Sequence, residues 1–243
     1  MNQRVLIEKN YLRIPIRKDA VEKNVWLYQE LTAVLQFQAG LFVDYGSGVP
    51  DFYAELPVER WKGSVLTLVH EEDRPVPFLQ SDELLPNTEP FQPWIHFAPK
   101  SGWMNDVCGA CWYQGSYHLY FQHNPVDVNW GNMSWGHAES TDLLHWVQKE
   151  DVMFPDENGT MFSGCAILNE RGLLGLPKDT PVFFYTVAGN ASEWSKGKKF
   201  VQRIAYSTDQ GETLTKVEEN VLEHIEADNR DPKVYGQIGR AHV

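Results

Sequence analysis

Two carboxylates stand in settings that chemistry could use. Asp106 closes the run Trp103-Met104-Asn105-Asp106 after Ser101-Gly102, and Asp231 sits in Asn229-Arg230-Asp231-Pro232-Lys233. An Asp in a loop is ordinarily a turn or cap residue, and Arg beside Asp is ordinarily a surface ion pair worth ~0–1 kcal/mol. The chemical alternative is sugar transfer. A glycosidase needs one carboxylate as nucleophile, opposite a second, protonated one acting as general acid. An Arg such as Arg230 would keep its neighbour Asp231 ionised while that carboxylate accepts hydrogen bonds from sugar hydroxyls as an oxocarbenium-like centre develops.

Neutral polar groups accompany them. Phe121-Gln122-His123-Asn124-Pro125, Asn129-Trp130-Gly131-Asn132 and Met161-Phe162-Ser163-Gly164 each put an amide, a hydroxyl or an indole at a strand end beside Gly or Pro. Such groups hydrogen-bond sugar hydroxyls without a charge penalty, and Gly allows close approach. Core packing and turn chemistry would equally explain any one of them. Seven of the nine tryptophans (Trp94, Trp103, Trp112, Trp130, Trp135, Trp146, Trp194) fall in one stretch of about a hundred residues, a density that fits a core and also fits flat faces for sugar rings.

The balance of 21 Lys+Arg against 33 Asp+Glu, a net charge of −12, argues against a nucleic-acid backbone or an anionic membrane as partner. No apolar run approaches the ~20 residues of a membrane span, residues 1–9 lack the apolar region of a signal peptide, and no particular compartment or oligomeric state is indicated. Three cysteines make no complete disulfide framework. Cys108 and Cys111 form a C-x-x-C without a second pair or a βαβ context, so they read as semi-buried thiols rather than a metal or redox pair.

The elements that must position these groups are strands. Residues 10–70 show short runs of period-2 alternation, at 11–16, 25–28, 33–37 and 65–69, separated by turn signals such as Gly46-Ser47-Gly48. Residues 71–93 are acidic and carry Pro75, Pro77, Pro86, Pro90 and Pro93, which deny donors to a ladder and predict a linker. Beyond it, 110–113 and 117–122 flank Gln114-Gly115-Ser116 as a hairpin, and further strands are predicted at 133–140, 145–149, 161–168, 182–188 and 200–207. One short helix is predicted near 171–176. The run Ala138-Glu139-Ser140-Thr141-Asp142 recurs as Ala205-Tyr206-Ser207-Thr208-Asp209, as repeated units of a β-propeller would. The expected fold is all-β, a small N-terminal β-sandwich-like module followed by an incomplete five-bladed propeller.

Taken in order over about residues 94–236, these stretches resemble glycoside hydrolase family 32, the β-fructosidases that include invertases, inulinases and levanases. The small leading module and its linker resemble the first domain of family members from gut Bacteroidetes. The resemblance implies a five-bladed propeller, then a C-terminal β-sandwich, a retaining mechanism and no metal or organic cofactor. It implies that Asp106 is the nucleophile and Asp231, with Arg230, the transition-state-stabilising pair. Asn105, Gln122, Trp130, Phe162 and Ser163 match substrate contacts, the substrate being a fructan such as levan or inulin, or sucrose.

Two departures follow. The family's usual Asn-Asp-Pro-Asn-Gly reads Asn105-Asp106-Val107-Cys108-Gly109, which predicts a looser turn around the nucleophile and an oxidisable thiol beside it. The family's acid/base Glu lies in a downstream Glu-Cys pair, and no Glu-Cys occurs in these 243 residues. The closing Ile238-Gly239-Arg240-Ala241-His242-Val243 equals the translation of a common sequencing-adapter read, so residues 237–243 are expected to be non-native and the chain an inactive piece of a longer enzyme. A non-catalytic carbohydrate-binding protein and an arabinanase-like propeller glycosidase are the alternatives.

Overall fold

The computed structural model describes residues 1–235 apart from Ser47, 86–92, Trp94, Leu173 and Ala227, so Trp94 and the predicted non-native tail lie outside the described residues. Among those described, the chain is all-β with one 3₁₀ turn at Glu59–Trp61. Among the described residues no helix is long and apolar enough to cross a membrane.

Seven strands build the first unit: β1 (Asn2–Leu6), β2 (Tyr11–Ile16), β3 (Lys23–Gln29), β4 (Thr32–Ala39), β5 (Phe52–Pro57), β6 (Val65–His70) and β7 (Leu79–Ser81). They form two antiparallel sheets ordered β1-β6-β3-β4 and β5-β2-β7. Alternation decides what each sheet buries: Val25, Leu27, Leu35, Phe37, Leu66 and Leu68 from one and Leu12, Ile14, Ile16, Ala54 and Leu56 from the other enter a single core. Each fully buried Leu or Ile contributes about 1.5–3 kcal/mol.

The stretch read as a linker is partly structured. Residues 78–85 contain no proline, and within them β7 pairs with β2 through Tyr11↔Ser81, Leu12↔Gln80 and Arg13↔Leu79. The Gln80 side chain also accepts the Glu8 N–H at 2.8 Å. Pro77, two residues before Leu79, has no N–H to extend the ladder on the N-terminal side.

Two four-stranded meanders follow, the arrangement of propeller blades. The first runs β8 (Trp103–Tyr113), β9 (Ser116–Asn124), β10 (Ser134–Ser140), β11 (Val147–Gln148); the second runs β12 (Thr160–Leu168), β13 (Pro181–Ala188), β14 (Val201–Tyr206), β15 (Thr215–Lys216). The β8–β9 turn places Gln114 at φ 48° and Gly115 at φ 92°, the left-handed pair of a type I′ hairpin. The predicted repeat is structural: each copy ends the third strand of its blade. Ser140 Oγ bonds Asp142 Oδ1 at 3.1 Å, and Ser207 Oγ bonds Asp209 Oδ1 at 2.8 Å.

Among the described residues near 171–176 the predicted helix is absent, because Gly172, Leu174 and Gly175 adopt φ of 62°, 63° and 68°, the wrong hand for one. The blades share a core of Cys108, Tyr120, Trp135, Met153, Met161, Phe183, Tyr185, Val187 and Ala205. Trp135 is therefore a core residue, its indole N–H donating to the Phe162 carbonyl at 3.1 Å.

The module is joined to the blades at several points. Val126 belongs to the module's core and Phe154 packs on it, while Tyr11 Oη donates to Glu150. Asn132 docks on edge strand β4, accepting from the Gln38 N–H at 2.8 Å and donating to the Gln38 carbonyl at 2.9 Å. Trp194 meets Trp26 edge-on at 5.8 Å.

Candidate active site

A bulge in each blade's first strand shapes the site. On β8, Met104 pairs with His123 but Val107 pairs with Phe121, so three steps on β8 face two on β9 and Asn105 and Asp106 leave the ladder. Both side chains are consequently exposed. On β12, Met161 pairs with Val187 but Gly164 pairs with Tyr185, which turns out Phe162 and Ser163. At Gly164 a Cβ would lie 1.9 Å from the Phe184 carbonyl oxygen, so the second bulge tolerates only glycine.

The two bulges meet. Ser163 Oγ donates to Asp106 Oδ2 at 2.9 Å, and Trp103 Nε1 donates to Asn105 Oδ1 at 3.1 Å. Gln122 is buried on β9 and donates through Nε2 to the Met161 carbonyl at 2.8 Å, tying the blades together beneath the bulges. Asp106 stands at the bulge of β8 between paired Met104 and Val107, with Ser163 fixing its carboxylate, where a loose turn was expected. The thiol beside it, Cys108, is buried, and Cys111 is half-buried. Burial pushes Cys108 up to about 12 and Cys111 to about 11, so both stay protonated at neutral pH, and both are free.

Arg230 and Asp231 arrive from beyond β15, and residues 229–234 are laid across the second blade by buried polar groups. Gln202 Nε2 donates to the Asn229 carbonyl at 2.9 Å, the Asp231 N–H donates to Thr186 Oγ1 at 3.1 Å, and the Val234 N–H donates to Cys165 Sγ at 3.2 Å. Thr186 in turn donates to Gln202 Oε1 at 2.7 Å. Asp231 sits at φ 60°, a left-handed position that Asp adopts more readily than most residues.

Partial burial is the largest influence on the Asp231 carboxyl and raises its pKa; Arg230 pulls the other way and the Asp106 charge adds to the rise. The Arg230 Nε to Asp231 Oδ2 distance is 3.6 Å. The net displacement is upward, whereas Arg230 alone predicted the reverse.

One cavity of about 750 Å³ receives all eight predicted residues, Asn105, Asp106, Gln122, Trp130, Phe162, Ser163, Arg230 and Asp231. Its size is that of ordinary small-molecule sites. Trp130, 58% exposed, meets Phe162 edge-on at 5.9 Å, and Phe162 meets Phe200 at 5.6 Å. Sequence reasoning missed Phe200, Lys198, Lys199 and His224 on the wall and the anchors Thr186 and Gln202. The Lys pair was readable only as a solvated loop, and the anchors only as ordinary strand polars.

Among the described residues, one cluster could hold a metal: His118, His137 and Glu139 offer ligand atoms within 4.8 Å of one another. None of the three lines the cavity. Burial lowers both histidines, His137 to about 3, and His118 Nδ1 lies 3.1 Å from His137 Nε2, the geometry of two neutral imidazoles sharing a hydrogen bond.

Sequential four-stranded meanders and a polar, aromatic-walled cavity whose lining includes Asp106 and Asp231 define an all-β protein of propeller type, its site suited to a neutral, hydroxyl-rich ligand. Comparison with known proteins makes the assignment definite. The profile of the Glycosyl hydrolases family 32 N-terminal domain matches residues 96–242. A levanase of Bacillus subtilis (strain 168) is 40% identical over 152 residues, 60% of this chain and 21% of that protein. An invertase of Schizosaccharomyces pombe is 39% identical over 155 residues, 59% of this chain and 26% of that protein. The crystal structure of exo-inulinase from Aspergillus awamori superposes with a TM-score of 0.57 at 31% identity, covering 64% of this chain and 34% of that one. The chain belongs to glycoside hydrolase family 32, and it spans between about a fifth and a third of the length of these relatives.

Proposed function

We infer that the intact parent of this chain acts on β-fructosyl linkages of a fructan such as levan or inulin, or of sucrose, by a retaining double displacement, and that the chain itself, which has no Glu-Cys pair, is an inactive piece of it. Asp106 attacks the anomeric carbon as the glycosidic C–O bond breaks, the leaving oxygen taking a proton from the acid/base Glu of the intact parent; water then cleaves the fructosyl-enzyme ester, giving up a proton to the same Glu. Asp231, beside Arg230, receives hydrogen bonds from fructosyl hydroxyls as positive charge develops on the ring. Asn105, Gln122, Trp130, Phe162 and Ser163 hold the sugar. The observation that carries this reading is the hydrogen bond from Ser163 to Asp106 inside a cavity that also receives Asp231.

The proposed organisation is an accessory module over 1–70, a connecting stretch over 71–93 that adds β7 to the module's second sheet, the first part of a five-bladed propeller over 94–236 and a non-native tail over 237–243. Fructose release from levan, inulin or sucrose by the gene product read from genomic DNA tests the function. Release from arabinan alone would overturn it.

A second reading, a sugar-binding chain without turnover, is favoured by one observation. Among the described residues the carboxylates lining the cavity are Asp106, Asp228 and Asp231, and none is a glutamate. Binding of fructan with no release in the same assay supports it.

A further inference from the structure

The outer face of the module's first sheet carries aromatic rings that its core does not use. Along β3, Val25 and Leu27 enter the core, so Trp26 and Tyr28 point the other way, and both are half-buried. Their rings lie 6.1 Å apart at 28° to one another, a stacked pair that forms the floor of the face. Trp194 stands against Trp26 at 65°, a wall at the edge of that floor. The amides of Asn24 and Gln38 flank it, the Gln38 amide donating to Asn24 Oδ1 at 3.4 Å.

The wall connects the floor to the cavity. Trp194 belongs to the loop between β13 and β14, and Asn190, Ala191, Lys198, Lys199 and Phe200 from the two ends of that loop line the cavity. The loop is stiffened from within: the Asn190 N–H donates to the Ser195 carbonyl and the Gly197 N–H to Asn190 Oδ1, both at 2.9 Å. The loop bearing Trp130, which also lines the cavity, is fastened to the same sheet through Asn132 and Gln38. Both loops are thus held by the sheet whose outer face carries the rings.

We propose that Trp26, Tyr28 and Trp194 form a second carbohydrate-binding platform, which holds a distal part of the same β-fructan chain whose end occupies the cavity. Apolar C–H faces of sugar rings stack on flat aromatic surfaces, and neutral amides bond their hydroxyls. A single fructosyl unit in the cavity is too short to use the floor, so the platform discriminates by chain length. The ligand class rests on the proposed action on fructans; the existence of the platform rests on the ring geometry.

Native electrophoresis of this chain through gels containing levan, inulin or dextran tests it without requiring turnover, so its outcome is separable from that of the activity assay. The unmodified chain and Asp106→Asn are expected to be retarded by levan or inulin and not by dextran. Each platform ring lost should weaken binding about two- to tenfold. Trp26→Ala/Tyr28→Ala, checked for folding by circular dichroism, should migrate freely; Trp194→Ala, which leaves the module's own strands untouched, should be intermediate; Trp26→Phe should keep most of the retardation. Retardation of the folded double variant and of Trp194→Ala equal to that of the unmodified chain overturns the proposal. So does equal retardation by dextran, or none by either fructan.

Discussion

The module and the blades solve the same problem, covering one face of a sheet, with different materials. The module's core is almost wholly aliphatic, drawn by alternation from two facing sheets. The blades' core is built of Tyr, Trp, Phe, Met and Cys, with His118, Gln122, His123, His137 and Thr186 buried around it. Every one of those polar groups must be paired or kept neutral. The module stays in register along its core strands apart from a shift at Leu27/Tyr28, whereas β8 and β12 break register where Asp106 and Ser163 emerge. The module spends its sequence on stability and the blades spend part of theirs on holding polar groups in place, so substitutions should separate the two regions.

The largest separation should come from Asp106→Asn. In the intact enzyme it should lower kcat for fructose release by about 10⁴-fold or more, since removing a nucleophile removes the reaction path. Because Asp106 is exposed, the urea midpoint should hardly move, a change within about 0.5 kcal/mol. Retained turnover would transfer the nucleophile's role to another carboxylate.

Leu27→Ala is the module's counterpart. Leu27 is fully buried, and its truncation should cost about 2–5 kcal/mol in urea unfolding with little change in fructose affinity at the cavity. A loss below ~1 kcal/mol would mean that the core can collapse around the gap, against the close packing described.

Asn132→Ala probes the seam between the regions. Its amide bonds the backbone of β4 in both directions, as a neighbouring strand would, and occupies φ 46°. Removing it should cost about 1–3 kcal/mol and split a single unfolding transition into two, read by calorimetry. One unshifted transition would show that Val126, Phe154 and the Trp26–Trp194 contact hold the regions together without it.

The comparison also explains what was legible. Strand β2 was readable to its ends because Leu12, Ile14 and Ile16 alternate on one face, and the eight site residues were readable because their types and order are unusual. Strand β1 was missed because no residue in it is fully buried, leaving no apolar period; β6 alone makes it a strand. The bulges were missed because register is a property of two strands, not of one sequence. Asn132 and Trp194 looked like turn and core residues, since the partners that define them lie 94 and 168 positions away.

The smallest effect separates histidines within the blades by pH. His123 is fully enclosed; burial opposes its charge, but the Asp151 carboxylate at 2.8 Å and the Ser101 carbonyl at 2.9 Å outweigh that and raise its pKa. A raised folded pKa means that its stabilisation is complete below the unfolded value of ~6.5 and is lost as pH climbs through the folded value. His137, lowered to about 3 by burial first and by His118 and Lys149 next, works in reverse. Its neutral form is favoured in the fold, so stability is full above ~6.5 and declines as pH falls from there toward 3. The two slopes have opposite signs on either side of neutrality, each at most about 1.4 kcal/mol per pH unit. Urea midpoints measured from pH 4 to pH 8.5 should therefore fall at both ends, and His123→Asn should flatten the alkaline side alone. Flattening of the acid side by that variant would assign the acid loss to the His123–Asp151 pair and leave His137 silent.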